Sequence, residues 1–452
     1  MTEQTLATIG TLLDATRTTG SYATRRTAPA ADLELEVEGV GVLSWPVSPE
    51  QARQLCSVAR PAHYGLREQT LLDTSVRDTW QVPRELVRID EKCWGTALAS
   101  ILDDVRADLG LPADRTLSAE LHSMLVYEKG QFFHRHQDSE KAEGMIGTLV
   151  VTLPSEFSGG ELVVEHRGER VSDAGAPGEL ALVAFYADCD HEVLPVTAGY
   201  RITLTYNLIA AAGGSDTGGG EVGALAELVR AYFTTPVPMP KWRRGDGPEH
   251  QPPTRLVYLL EHQYSQRGIG WDQLKGVDAA RAAALVAAAE NSGYQPTLAL
   301  AEVREANACD YLEDEEWMCG RRRRWELVEN TWTLVEENWE SIDGEEDYYG
   351  ADFDHGNDRP ADHPEYLAEV VLGDSYGPTI TLKWWMDRAG ATTTSEGQYV
   401  HDDELCPGTT GSPLEPFGYR LTGYMGNEGN TVDRWYRRAA IVVHSAATSA
   451  SR

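Results

Sequence analysis

The sequence predicts an α+β protein built around an antiparallel β core of the sandwich or barrel type, and three observations carry that reading. Between Ser118 and Leu208, short apolar runs are separated by Gly, Pro and Ser, the texture of consecutive strands joined by turns. Helical periodicity is confined to the segments before and after this stretch. From Gly213 to Gly220 the chain reads GGSDTGGG, a flexible joint after which strand and helix signals alternate.

The elements follow in order. Residues 1–17 carry Leu6, Ile9, Leu12 and Leu13 at helical spacing, and Thr18 to Ala31 reads as a loop. Leu33, Leu35 and Val37 alternate as in a strand, with Val40 and Val42 continuing the alternation after Gly39. Ser48-Pro49-Glu50 caps a helix running to about Arg60, and a second helix is expected from Asp90 to Leu109, closed by Gly110 and Pro112. The core strands are Leu121–Tyr127, Thr148–Leu153, Glu161–Val164, Leu180–Tyr186 and Tyr200–Leu208. After the joint come a helix (Glu221–Phe233), a strand (Leu256–Leu260), an Ala-rich helix (Ala279–Glu290) and a strand (Thr297–Val303), with further strands at Leu367–Leu372, Thr379–Trp385 and Ala439–His444. The expected organisation is therefore supporting helices and strands over 1–117, a core over 118–212 and a C-terminal α+β domain over 221–452. Within the last, the acidic, Trp- and Tyr-bearing segment 313–358, interrupted by Arg321 to Arg324, reads as an exposed excursion able to attract a basic polypeptide.

Composition limits the function. The chain has 452 residues and a formal charge of −32, so its surface repels phosphate backbones and nucleic acid is not an expected partner. Only six of the 39 basic residues are Lys, which suggests that a general preference for Arg and acidic residues sets much of this charge. The six cysteines are scattered without a CxxC pair, as in a reduced compartment, and no apolar span approaches the roughly 20 residues of a membrane helix. A cytoplasmic protein without membrane partners is expected.

The chemistry is concentrated at His136-Gln137-Asp138, two metal-capable side chains at i and i+2, which on a strand point to one side. A His-x-Asp arises about once by chance in such a chain, so its setting matters. Here it ends the pattern Tyr127-x-x-Gly130-x-x-Phe133-x-x-His136-x-Asp138. Gly159-Gly160 then opens a strand, and His191 precedes a further strand bearing Arg201. Over roughly residues 118–208 this resembles the iron(II)- and 2-oxoglutarate-dependent dioxygenases, and among them the prolyl 4-hydroxylase-like branch, whose Tyr-x-x-Gly approach and Gly-Tyr-Arg-x-Thr ending are matched by Tyr127 to Gly130 and Gly199 to Thr203.

The resemblance implies a double-stranded β-helix (jelly-roll, cupin-like) with flanking helices. It also implies His136, Asp138 and His191 as catalytic iron ligands and Arg201 as the anchor of the 2-oxoglutarate carboxylate. Cofactors would be Fe(II), 2-oxoglutarate and O2, with ascorbate a candidate reductant. Two neutral imidazoles and a carboxylate on one face of iron leave adjacent positions open for a chelating keto acid and O2. An Arg at 201 offers a planar fork of donors suited to a carboxylate, and Thr203 and Tyr127 are candidate additional hydroxyl donors. His134 lacks an i+2 carboxylate and is expected in a supporting or solvent-facing role. Cys189, between Asp188 and Asp190, is a poor nucleophile because acidic neighbours raise a thiol's pKa. Asp352, Asp354, His355, Asp358 and His363 resemble a metal site in composition but lie in a Pro/Gly/Asp-rich stretch that reads as solvated loop, and Gly426 to Asn430 reads as a turn.

Two functions follow. One is a dioxygenase hydroxylating a C–H bond of a peptide, protein or free amino-acid substrate. The other is a non-catalytic binding or sensing protein on the same β-fold, with the acidic C-terminal domain as its interaction module.

Overall fold

The computed structural model describes residues 2–16, 20–66, 69–90, 92–138, 144–166, 168–211, 222–239, 241, 247–311, 313–315, 321–328, 331–339, 370–407, 416–422 and 430–445. The chain forms two compact units, one of residues 1–301, 382–414 and 438–452, the other of 302–381 and 415–437. The expected joint at Gly213 to Gly220 lies outside the described residues.

The first unit is mostly β-strand with few helices, consistent with an oxygenase jelly-roll core. A seven-stranded antiparallel sheet runs in the order Ala23–Pro29, Glu179–Tyr186, Met145–Thr152, Arg201–Ala211, Thr116–Tyr127, Trp80–Val82 and Arg60–Pro61. A five-stranded sheet runs Glu169–Asp173, Leu162–His166, Asp190–Val193, Phe132–His136 and Arg77–Asp78. Leu149, Val151, Leu182, Phe185, Ile202 and Leu204 of the first sheet share one core with Phe133, Leu162, Val164 and Val193 of the second. All eight residues of Met145–Thr152 are buried, because this strand lies between two others and is covered on both faces, where an unbroken apolar run is favoured over alternation. The helices Pro49–Val58, capped by Ser48, and Cys93–Asp108 add Ala52, Leu55, Trp94, Leu98, Leu102 and Val105 to the same core. Trp94 satisfies its buried indole N–H on the Tyr206 hydroxyl at 3.0 Å.

The Thr18 to Ala31 stretch is not simply a loop. Residues Ala23–Pro29 form the edge strand, paired from Ala23 opposite Phe185 to Pro29 opposite Glu179. The sequence ATRRTAP has no apolar run to announce a strand. Its neighbour supplies the ladder, and its arginines are held by Asp173 and Asp108. A Pro at the end of an edge strand loses no ladder bond that the sheet needs.

A second core in the same unit gathers Leu225, Val229 and Tyr232 of helix Val222–Thr234 and Leu285 and Ala289 of helix Gly276–Asn291. Strand residues Leu256, Tyr258, Leu298, Leu300, Ile441 and Val443 complete it. The N-terminal helix Thr2–Ala15 sends Leu6, Ile9 and Leu13 into this second core rather than into the first. Its apolar stripe, legible by period, carries no information on which partner it meets.

A buried ionic cluster ties elements of the two cores together. Asp188 accepts from His262 Nδ1 at 2.9 Å, from the Gln263 amide at 3.1 Å and from Lys275 Nζ at 3.2 Å. Burial alone would raise the Asp188 pKa, but Lys275 and His262 override it and hold the carboxyl well below its usual range. Lys275→Met should cost about 3–5 kcal/mol, read as a lower denaturation midpoint in urea, because it strands a buried carboxylate without its ammonium partner.

In the second unit, Arg321–Val328 and Thr331–Trp339 form an antiparallel hairpin with Glu313–Glu315 on its edge. Much of the segment read as an exposed excursion is therefore paired strand. Residues 340–358, and with them Asp352, Asp354, His355 and Asp358, lie outside the described residues, as does His363. Gly418–Thr422 pairs with the start of Thr431–His444, and Arg304 grips both Asp433 oxygens at 2.8 and 2.9 Å. Cys56, Cys93, Cys189 and Cys406 carry free thiols, and among the described residues no helix is long and apolar enough to cross a membrane.

Candidate active site

The strands Phe132–His136 and Asp190–Val193 are antiparallel neighbours, and their register places His136 directly opposite His191. The two ring centres are 4.1 Å apart. Each imidazole is turned by a backbone carbonyl: His136 Nδ1 lies 2.8 Å from His134 O, and His191 Nδ1 lies 3.2 Å from Cys189 O. A carbonyl only accepts, so Nδ1 of each ring carries a proton, and the tautomer this selects has its lone pair on Nε2. Phe133 stacks on His136 at 3.6 Å and Phe185 leans on His191 at 4.7 Å, which fixes both rings further. Burial, then the neighbouring His191, pushes the His136 pKa down to about 3 against the pull of Asp138, so this imidazole is neutral.

Asp138 completes the group, its Oδ2 lying 3.7 Å from His191 Nε2, and donor atoms of all three residues fall within 4.8 Å of one another. Strand geometry alone does not deliver it, because the strand ends at His136. The Asp138 amide instead donates to Ala187 O at 3.1 Å, and Thr148 Oγ1 donates to Asp138 Oδ2 at 2.5 Å. One turn thus serves two residues, with Ala187 O holding Asp138 and Cys189 O holding His191. Between these carbonyls lies Asp188, locked by its ionic cluster.

Arg201 opens the strand Arg201–Ala211 opposite Tyr127 and is 1% exposed. Its guanidinium lies 5.5 Å from the Tyr127 ring centre, and Nη2 reaches Thr152 Oγ1 only at 3.4 Å. No carboxylate among the described residues binds it, and both its Nε and the buried Thr203 Oγ1 lack hydrogen-bond partners. Burial lowers the Arg201 pKa, opposed by Tyr127, Asp173 and Glu161. A buried guanidinium with unused donors is costly unless an anion completes it. Thr148, which holds Asp138, and Thr152, beside Arg201, lie four residues apart on one strand and one face, about 13 Å along it. The strand therefore carries both the hydroxyl that orients Asp138 and the hydroxyl nearest the Arg201 guanidinium.

Two glycines make room for this arrangement. Gly160, at φ +70°, would place a Cβ 2.8 Å from Val196 Cγ2 and 3.1 Å from Arg201 Cδ. Gly199, at φ +75°, lies so close to Glu156 O that a Cβ would fall 2.0 Å from it. Gly160→Ala should cost about 1–3 kcal/mol in urea unfolding, from left-handed strain and crowding, and should also displace the Arg201 stem. A fall in 2-oxoglutarate affinity larger than the parallel Gly168→Ala control, where no atom lies within 4 Å of the added Cβ, checks the second part.

Arg77 was invisible in the sequence. From the two-residue strand Arg77–Asp78 its guanidinium sits 4.5 Å over the Phe133 ring and interacts with Tyr127 and with the charge of Asp138. Val76 and Trp80 enclose three consecutive polar residues, Arg77, Asp78 and Thr79, so no apolar alternation marks a strand there. The His134 side chain is exposed and packs on Phe132 at 4.5 Å, while its carbonyl is what orients His136. Cys189 is fully buried, and burial first, Asp188 second, raise its thiol pKa well above the ordinary value.

Residues 122–209 match the 2OG-Fe(II) oxygenase superfamily model. Its members use Fe(II), 2-oxoglutarate and O2, for which the His–Asp–His group here provides iron-binding candidates. Among solved structures, the chain is similar to a Pseudomonas putida prolyl-4-hydroxylase at 18% identity and a TM-score of 0.27, covering 45% of this chain and 98% of that one. A Trichoplax adhaerens prolyl hydroxylase, solved with a hypoxia-inducible-factor oxygen degradation domain peptide, matches at 15% identity and a TM-score of 0.27, covering 46% and 90%. No curated protein matches the chain.

Proposed function

We propose that the chain is an Fe(II)- and 2-oxoglutarate-dependent hydroxylase of the prolyl 4-hydroxylase-like branch, with a double-stranded β-helix core over residues 118–212. His136, Asp138 and His191 are its iron ligands, and Arg201 receives the distal carboxylate of 2-oxoglutarate. Thr203 and Tyr127 line that carboxylate site, Thr203 offering its unpartnered hydroxyl. Iron and 2-oxoglutarate held there would supply oxidation of a C–H bond by O2, with 2-oxoglutarate converted to succinate and CO2.

The chain's own residues do the arranging. His134 O and Cys189 O keep the imidazoles in the tautomer that presents Nε2. Thr148 keeps Asp138 oriented by donating to it. The apolar walls of Phe133 and Phe185 exclude water from the ring faces. The observation that carries the reading is the fully buried Arg201 guanidinium, which no carboxylate among the described residues binds, on the same sheet as Thr148, which orients Asp138 of the His–Asp–His group.

A peptidyl or free amino acid is the proposed substrate class, with residues 221–452 contributing to its choice. The test is succinate formation from 2-oxoglutarate by the purified full chain with added Fe(II), together with a search for +16 Da products made by this protein and absent with His136→Ala. Absence of succinate under every substrate mixture would favour the binding or sensing alternative.

A further inference from the structure

A second His–Asp–His group lies in the first unit and takes no part in the reaction proposed above. Its members are His166, at the end of strand Leu162–His166, Asp188 in the turn before His191, and His262 on strand Arg255–Gln263. Their donor atoms lie within 4.8 Å of one another. The His166 and His262 rings are nearly parallel, at 15°, with centres 5.2 Å apart. Two imidazoles sharing one metal at about 2.0–2.1 Å have ring centres roughly 5 Å apart, so the pair already has the spacing of co-ligands.

The surroundings fit the same chemistry. Asp188 accepts from His262 Nδ1 at 2.9 Å, the carboxylate–histidine arrangement that orients a metal-binding ring and leaves Nε2 with the lone pair. The Gln263 amide and Lys275 Nζ fix the carboxylate, and Lys275 balances its charge. His166 and His262 line a cavity of about 240 Å³ together with Tyr22, Glu169, Tyr186 and Glu261. Glu261 is engaged by Arg281 at 2.7 Å, whereas Glu169 is exposed and stands opposite His166 in the strand pairing. The cavity thus offers two nitrogen donors, a neighbouring carboxylate and room for water. Imidazole-rich sites of this kind suit zinc, nickel or cobalt rather than magnesium or calcium.

We propose that His166 and His262 bind a divalent transition metal of the zinc class, oriented by Asp188 and completed by Glu169 and water. The metal joins a strand of the oxygenase core to a strand that follows the Gly-rich segment. It is bracketed by the same turn that holds His191, but its ligands are distinct from those of the iron site.

The experiment uses the full chain. Zinc binding is measured by equilibrium dialysis and by the rise in melting temperature for wild type, His136→Ala, and His136→Ala combined with His166→Phe. Phenylalanine keeps a ring against His262 while removing the nitrogen, which protects the fold more than truncation of the fully buried His262 would. Circular dichroism of the metal-free variants confirms that they are folded. His136→Ala should retain one tight equivalent and a zinc-dependent rise in melting temperature. The added His166→Phe should weaken that equivalent about 100-fold or more and abolish the rise. Zinc binding by His136→Ala that is absent, or unaltered by His166→Phe, overturns the proposal. Two equivalents in His136→Ala, one of them lost with His166→Phe, would support this second site while counting against the assignment of His136 to iron.

Discussion

His136→Ala should abolish 2-oxoglutarate turnover while leaving the β core folded. The imidazole is one of two nitrogen donors, and without it Asp138 and His191 are left as an incomplete set. Its loss should not unfold the domain, because the strand is held by its pairing with Asp190–Val193 and by Phe133 in the core. Succinate production should fall below detection, and the circular dichroism spectrum should match wild type. Near-wild-type turnover would remove His136 from the metal site. Asp138→Ala should behave alike, whereas Thr148→Val, which removes only the hydroxyl that orients Asp138, should reduce turnover without eliminating it.

Arg201→Ala should weaken 2-oxoglutarate binding by about 2–5 kcal/mol, roughly 30- to several-thousand-fold, since it leaves the co-substrate carboxylate without its partner in a buried site. Iron affinity should change little. The same truncation removes an uncompensated buried cation, so the stability of the ligand-free protein should fall less than for a packed apolar side chain of similar size, or should rise. That combination separates an anchor from a structural arginine, whose loss would lower stability and leave co-substrate affinity near wild type. Arg201→Lys should recover only part of the binding, because a point charge replaces a planar fork.

The sequence carried much of this site because its information is local. His136 and Asp138 are two residues apart, Arg201 follows His191 by ten, and the core strands announce themselves as apolar runs between Gly and Pro. What it did not carry is set by partners distant in the chain. Ala23–Pro29 is a strand because Glu179–Tyr186 lies beside it. Asp138 is aimed by Ala187 O and Thr148, not by strand alternation. Arg77 reaches the site from a strand of two residues. Asp188 meets His262 and Lys275 across 74 and 87 residues of sequence, and neither partner sits in a recognisable motif. Local pattern singled out the candidate residues, while tertiary pairing supplied their orientation.

The most direct measurement is an anaerobic titration of the Fe(II)-loaded full chain with 2-oxoglutarate, following the visible absorption of the iron–keto-acid chelate. The His136, Asp138, His191 and Arg201 assignment predicts a saturable band in wild type and none with His136→Ala. With Arg201→Ala, the same band should appear only at 2-oxoglutarate concentrations at least 30-fold higher. A band of equal intensity and midpoint in all three proteins would contradict it.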